Sequence, residues 1–149
     1  MEFTVQRVVE DKGTETRIVV LQQRQGSDVL PIWVGAAEGT AIQWAMDNVV
    51  TPRPMSHDLI RSFADHLNVK VQRVMITDVK SSTYYATIAL TSKGVERSVD
   101  ARPSDAIALA LRTQCPIYVA PDVLKRRGSN NLDAWLAKLE AKPIDTQEV

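Results

Sequence analysis

Two short stretches bring reactive side chains to places where helices begin. In "TPRPMSHDL" the residues Arg53, Ser56, His57 and Asp58 stand together, and in "DARPSDAIALAL" Arg102, Ser104 and Asp105 precede a run of six apolar residues. Backbone N–H groups are unpaired at a helix start and the helix dipole favours anions there, so either place suits a phosphate. A histidine exchanges protons near neutral pH, which fits His57 for general acid or base work. Asp105 opens a helix wrapped by core, and an unpaired buried charge is expensive, so it needs hydrogen bonds or a counter-charge. Arg102, three positions earlier, is the nearest one. Two accounts stay open. In one, Arg102 and Asp105 are a structural pair, while Ser56, Asp58 and Ser104 close helix ends. In the other, Asp105 and Glu38 present oxygens to Mg²⁺ or another hard cation, with Asp78 and Asp100, each near a strand end, adding to the group.

Other chemistries find less support. The chain has no P-loop, GxGxxG, HExxH, CxxC or GxSxG pattern. Its two histidines limit a single subunit to two imidazole ligands. Acyl hydrolysis through Ser104 or Ser56 would need His57 and an aspartate in register, which nothing in the sequence specifies. Tyr84 and Tyr85 point to opposite faces of a strand, so one is expected in the core and one outside, where it could stack a base. Lys125, Arg126 and Arg127 form the one dense basic cluster, either a grip for phosphates or a solvated turn. Cys115 has no activating neighbour and reads as a small buried filler.

The elements that must position these residues follow from pattern. "FTVQRVVE" and "TRIVVLQQ" flank the turn Asp11-Lys12-Gly13 as a hairpin, and "VLPIWVG" is a third strand placed at an edge by Pro31. Residues 36–47 make a nearly buried helix. Ser56 caps an amphipathic helix over 57–67, with Leu59, Ile60, Phe63, Ala64 and Leu67 on its apolar face. "VKVQRVMITDV", "TYYATIALT" and "VERSVDA" are three more strands, followed by the helix at 104–113, a short strand "PIYVA" and a turn "PDVLKRRG". "NNLDAWLAKLEA", capped by Asn131, forms a last helix before a fraying tail.

A shift of 67 residues lays "VVLQQRQGSDVLPIWVGAAEGTAIQW" over "ATIALTSKGVERSVDARPSDAIALAL". Both read strand, turn, strand, helix, and Glu38 falls on Asp105. A strand-strand-helix duplication would set two similar sites face to face. The fold class expected is α+β, a largely antiparallel mixed sheet with helices packed on it.

The chain has 149 residues, 44% hydrophobic and 24% charged, with 18 basic and 18 acidic side chains. Zero net charge argues against a broad electrostatic footprint for nucleic acid and leaves room for a local basic groove. No apolar run reaches membrane-spanning length. "MEFTVQRVVED" reads as neither a signal nor a transit peptide, and one cysteine suits a reducing cytoplasm.

Taken together, "LPIWVGAAEGTAI", "PRPMSHDLI", "ITDVKSSTYYATIAL" and "DARPSDAIALALRTQCPIYVA" resemble the bifunctional nuclease domain family over residues 1–125, leaving 126–149 as a C-terminal helical segment and tail. The family pattern reads E-A-A-A-I where this chain has Glu38-Gly39-Thr40-Ala41-Ile42, and P-L-T-H-D where it has Met55 and Ser56. The resemblance implies cleavage of DNA or RNA; on a nuclease reading of these residues, His57, Asp58, Asp105 and Glu38 are expected to be catalytic and Arg53, Arg102 and Ser104 to meet the substrate. Glu38, Asp78 and Asp105 would hold Mg²⁺ or Mn²⁺. It also implies self-association, a dimer first of all. The competing expectation is a non-catalytic module for a small anion, a nucleotide or a protein partner, in which Arg102 and Asp105 are a buried pair.

Overall fold

A computed structural model describes residues 1–11 and 13–126. The chain runs β1 (Glu2–Asp11), β2 (Thr16–Gln23), β3 (Val29–Val34), α1 (Ala36–Met46), α2 (Ser56–His66), β4 (Lys70–Lys80), β5 (Thr83–Ser92), β6 (Val95–Ala101), α3 (Pro103–Thr113), β7 (Ile117–Val119) and α4 (Pro121–Arg126). The strands form one seven-stranded sheet in the order β3-β2-β1-β7-β4-β5-β6. All neighbours are antiparallel except β4 and β7. The fold is therefore α+β, as the pattern implies.

The order is a palindrome about β7. The halves β1-β2-β3-α1 and β4-β5-β6-α3 repeat one sequence of elements, and α1 and α3 each hold 11 residues at the offset of 67. β7 runs antiparallel to β1 and parallel to β4, so β1 and β4 oppose each other, as a rotation about the sheet centre requires. Tight turns close the second half. Ser81 and Ser82 (φ 50° and 66°) join β4 to β5, and Lys93 and Gly94 (φ 52° and 76°) join β5 to β6. Two central residues at positive φ match the right-handed twist of the flanking strands.

Leu21, Leu30, Ile42, Val74, Ile76, Ile107 and Val119 are fully buried between the sheet and its helices. α3 supplies most of the helical side of this core, burying Ser104 and Ala106–Ala110. α1 is less enclosed than its composition suggests, with Gly39, Ala41 and Ile42 alone buried. α2 also departs from expectation. Its inward residue is His57, while Leu59, Ile60, Phe63 and Leu67 remain 47–67% exposed. The helix leans on α3 by one side, and no described element covers the apolar stripe. Pro121–Arg126 is a short helix and not a turn. Arg127 and the expected helix capped by Asn131 lie outside the described residues.

Candidate functional site

α1 and α3 pack together so that the first turn of α1 meets the start of α3. Pro103 sets the entry to α3 by its fixed φ, and Arg102 is the extended residue before it. From there the guanidinium reaches two carboxylates. Nε donates to Asp105 Oδ2 at 2.9 Å, and the NH2 group donates to Asp105 Oδ1 at 3.2 Å. The NH1 group donates to Glu38 Oε2 at 3.3 Å. Asp105 Oδ1 also meets His57 Nε2 at 2.9 Å. Glu38, Arg102, Asp105 and His57 thus form one connected cluster drawn from three helices.

The cluster is open to water on one side. Arg102 is 63% exposed and the two carboxylates about a third, whereas the His57 side chain is 11% exposed. The hydrogen bonds from Arg102 hold the Asp105 carboxyl below the usual carboxylate range, against partial burial, with His57 adding to the effect. An ionised carboxylate only accepts, so the His57 nitrogen facing it, Nε2, is the donor, and in the neutral ring the lone pair then sits on Nδ1. Nδ1 makes no hydrogen bond among the described residues.

Beside the cluster lies a groove of about 520 Å³. Its walls are Ile32–Gly35 and Glu38 from β3 and α1, Ser82–Tyr84 at the β4–β5 turn, and Arg102–Ser104 at the start of α3. β3 ends the strand order on one side, while the β4–β5 turn and the start of α3 belong to the opposite half, so the groove draws on both halves.

Other expected residues lie elsewhere. Asp58 faces away from the cluster: Oδ2 accepts the Met55 N–H at 2.9 Å and Oδ1 accepts from Arg112 Nε at 2.8 Å. Burial raises the Asp58 carboxyl, and these two donors outweigh it, leaving a net lowering. Met55 is the cap residue of α2 and Ser56 its first helical residue, so Ser56 does not cap; the carboxylate of Asp58 takes the free amide instead. Ser104 is buried in the first turn of α3 without a capping bond, and Asp105 spends its oxygens on Arg102 and His57. Asp78 is bonded to Arg126 and to the Val79 N–H, with Lys80 nearby. Asp100 sits on β6 opposite Thr87. Arg53 is exposed in the loop between α1 and α2. Tyr84 packs against the core, and Tyr85 is 41% exposed with Lys80 Nζ 5.6 Å from its ring centre. Cys115 is half-buried, and burial raises its thiol above the ordinary value.

The expected metal set of Glu38, Asp78 and Asp105 does not assemble. Arg102 already stands between Glu38 and Asp105, and Asp78 is drawn off to Arg126. No group of three His, Cys, Asp or Glu side chains is placed to hold an ion among the described residues. Nor is any described helix long and apolar enough to cross a membrane. Arg112 went unnoticed in the sequence because its helix reads as uniformly apolar. Its guanidinium, 8% exposed, bonds Asp58 of α2, Ala41 O of α1 and Ala108 O of α3. Charge in the last turn of an apolar helix was the available signal.

Residues 19–132, which include every member of the cluster, match the model of the bifunctional nuclease domain. An uncharacterized protein of Mycobacterium tuberculosis is 39% identical over 111 residues, 74% of this chain and 66% of that protein. Bifunctional nuclease 1 of Oryza sativa subsp. japonica is 33% identical over 105 residues, 68% of this chain and 32% of the rice protein. Bifunctional nuclease 2 of Arabidopsis thaliana is 32% identical with the same coverage. The chain thus spans just under two thirds of the mycobacterial relative's length and 32% of the plant ones'. With three quarters of its length inside that match, it belongs to the bifunctional nuclease domain family.

Proposed function

We propose that the chain is a nuclease that hydrolyses phosphodiester bonds of DNA or RNA, with His57 and Asp105 as its proton-handling pair. The observation that carries this reading is the 2.9 Å contact between His57 Nε2 and Asp105 Oδ1, made beside an open groove. Asp105 holds the ring in one tautomer, and Nδ1 takes the proton of an attacking water. Arg102 orients Asp105 and turns its unspent N–H groups to the phosphate, a geometry that a planar guanidinium suits. Glu38 holds Arg102 from the other side. Arg53 is assigned to more distant phosphates of a longer substrate. Asp58 and Asp78 take no part in the step. Membership of a family whose plant members are named nucleases supports the reading.

Purified chain should cleave labelled DNA or RNA oligonucleotides, and His57→Ala should lower the rate by roughly 10²- to 10⁴-fold, the usual worth of a general base. Equal residual cleavage by wild type and variant rejects the reading. A second reading, a binding module without catalysis, draws on the fact that both carboxylates of the cluster already have protein partners. It expects Asp105→Ala to lower the melting temperature with no cleavage to lose. Self-association is carried as part of the proposal, since β3 and β6 end the strand order with no further strand paired to them among the described residues; light scattering of the purified chain reads it.

A further inference from the structure

We propose that two copies of this chain associate through the apolar stripe of α2, the two helices lying antiparallel across a two-fold axis at Phe63. This deepens the self-association carried above, to which it gives a surface, and does not depend on the chemistry at His57.

Three observations carry it. First, Leu59, Ile60, Phe63 and Leu67 are 50%, 47%, 62% and 67% exposed. Successive helical residues turn by about 100°, so these four share an arc of roughly 100° on one side of α2. The buried side, with His57 and Ala64, lies next to that arc and not beneath it. At these fractions the four side chains leave roughly 350 Å² of apolar surface in water, a size at which a patch on a monomer is often functional.

Second, the charges of α2 need nothing from an occupant. Asp58 is bonded to Arg112, and Arg61 stands 3.9 Å from Asp65 one turn on. All three fall on the side away from the stripe by the same rotation. An acidic or basic partner would find no opposite charge to pair with. A lipid surface fits no better, because a helix that lies on a membrane carries a basic polar face, and here two aspartates face one arginine.

Third, the stripe is complementary to itself. Phe63 is midway between Leu59 and Leu67 in sequence. A two-fold axis at Phe63 therefore sets each Leu59 against the partner's Leu67 and the two phenyl rings against each other. Among the occupants considered, a second copy alone matches apolar to apolar along the whole helix without stranding a charge. His57 keeps its contact with Asp105 of its own chain, since it points to the other side of α2.

Size sets the strength. Two such patches together remove roughly 700 Å² of apolar surface, and even with a polar rim the interface stays near or below the about 1,200 Å² at the lower end of stable complexes. The dimer should be reversible, half-formed at roughly 1–100 µM.

The test uses the full chain in sedimentation velocity across that concentration range. Wild type should pass from monomer to dimer, and Phe63→Asp should stay monomeric throughout. Below the midpoint its melting temperature should match that of wild type, because the ring it replaces is mostly in water. Leu67→Ser is the second variant and should weaken the dimer at least roughly ten-fold, the loss expected where a side chain anchors an interface. Val99→Asp changes an exposed apolar residue of β6, 44% open, and should associate as wild type does. Hydrogen exchange of the unmutated chain gives a readout that no variant's folding can disturb: raising the concentration should slow the amides of residues 56–67 most. A monomer at every concentration overturns the proposal together with self-association, and leaves the stripe to another occupant. A dimer that survives both α2 variants, or protection that spares α2 and falls on β3 or β6, overturns this surface while self-association stands. The nuclease reading is read by cleavage and is untouched by either result.

Discussion

Arg102 NH1 meets Glu38 Oε2 at 3.3 Å across 64 residues of sequence, joining the start of α3 to the first turn of α1. Glu38 and Asp105 occupy equivalent places in the two halves of the chain. The halves thus do not build two facing sites, as the duplicated pattern suggests; a single guanidinium gathers both carboxylates into one. Gly35 is the counterpart of Arg102 in the first half, so the bridge has no symmetric copy.

Replacing Arg102 by lysine keeps the charge and loses the fork. A lysine ammonium cannot hold Asp105 through two donors and reach Glu38 as well. Cleavage should fall roughly ten- to hundred-fold, an expectation drawn from the cost of losing a charge-assisted hydrogen bond. The pH profile carries a second signature. Arg102 is the main cause of the lowered Asp105 carboxyl, so in Arg102→Lys that carboxyl rises toward its ordinary value and the acid limb of activity moves to higher pH. An unmoved acid limb would show that Asp105 does not set it.

Two glycines of α1 and its approach give opposite outcomes. A Cβ at Gly35 would stand 2.1 Å from Glu38 Oε1, the far end of a flexible side chain. Gly35→Ala should therefore shift the Glu38 carboxylate off Arg102, changing activity while leaving the melting temperature nearly unaltered. A Cβ at Gly39 would stand 2.4 and 2.5 Å from Arg17 Cγ and Cβ, where the side chain is fixed to β2 and cannot swing away. Gly39→Ala gains about 1 kcal/mol of helix propensity but must push α1 off the sheet, so it should destabilise. Thermal melting of both variants checks the pair.

The sheet and most helix limits were legible because alternation and turn residues report them directly. Glu38, His57, Arg102 and Asp105 were also legible as reactive types at helix starts. Their mutual contacts were not, because His57–Asp105 and Glu38–Arg102 depend on how α1, α2 and α3 cross, which no local pattern encodes. The same gap explains Asp58. From sequence it is equivalent to His57 beside it, yet adjacent helical residues point about 100° apart, and that rotation sends Asp58 to Arg112. The apolar stripe of α2 misled for a related reason: amphipathicity reports that a face prefers cover, not which element supplies it.

Arg112 is the more deeply buried member of its pair with Asp58, so removing Asp58 should hurt more than its own exposure suggests. Asp58→Ala leaves a guanidinium that is 8% exposed with carbonyls alone as partners. Breaking a fully buried pair costs about 3–5 kcal/mol, and with Asp58 39% exposed the expected loss is roughly 2–3 kcal/mol after solvent screening. Urea unfolding measures it, and cleavage by the remaining folded protein should match wild type.

Acid stability follows from the aspartates of α2 and α3. The carboxyls of Asp58 and Asp105 are lowered in the folded chain. Each contributes stability that is present above the unfolded aspartate value of about 3.9 and is lost as pH falls through the folded value. The urea midpoint should therefore decline from about pH 4 downward. The decline should be shallower in Asp58→Asn, which removes one of the linked protonations.

Chelation tests the reading of the cluster most directly. With Arg102 between Glu38 and Asp105, the positive charge a divalent ion would supply between these carboxylates is already present as a guanidinium. A hydrolysis run by His57, Asp105 and Arg102 should then persist in EDTA at close to its full rate. Arg102→Ala should abolish it, and added Mg²⁺ or Mn²⁺ should not raise the rate of wild-type protein treated with chelator, because nothing was removed. The opposite result would be cleavage that vanishes in EDTA and returns with Mn²⁺. It would mean that Arg102 swings away on binding substrate and leaves Glu38 and Asp105 to the ion, so that the bridge seen here is a resting arrangement and not the working one.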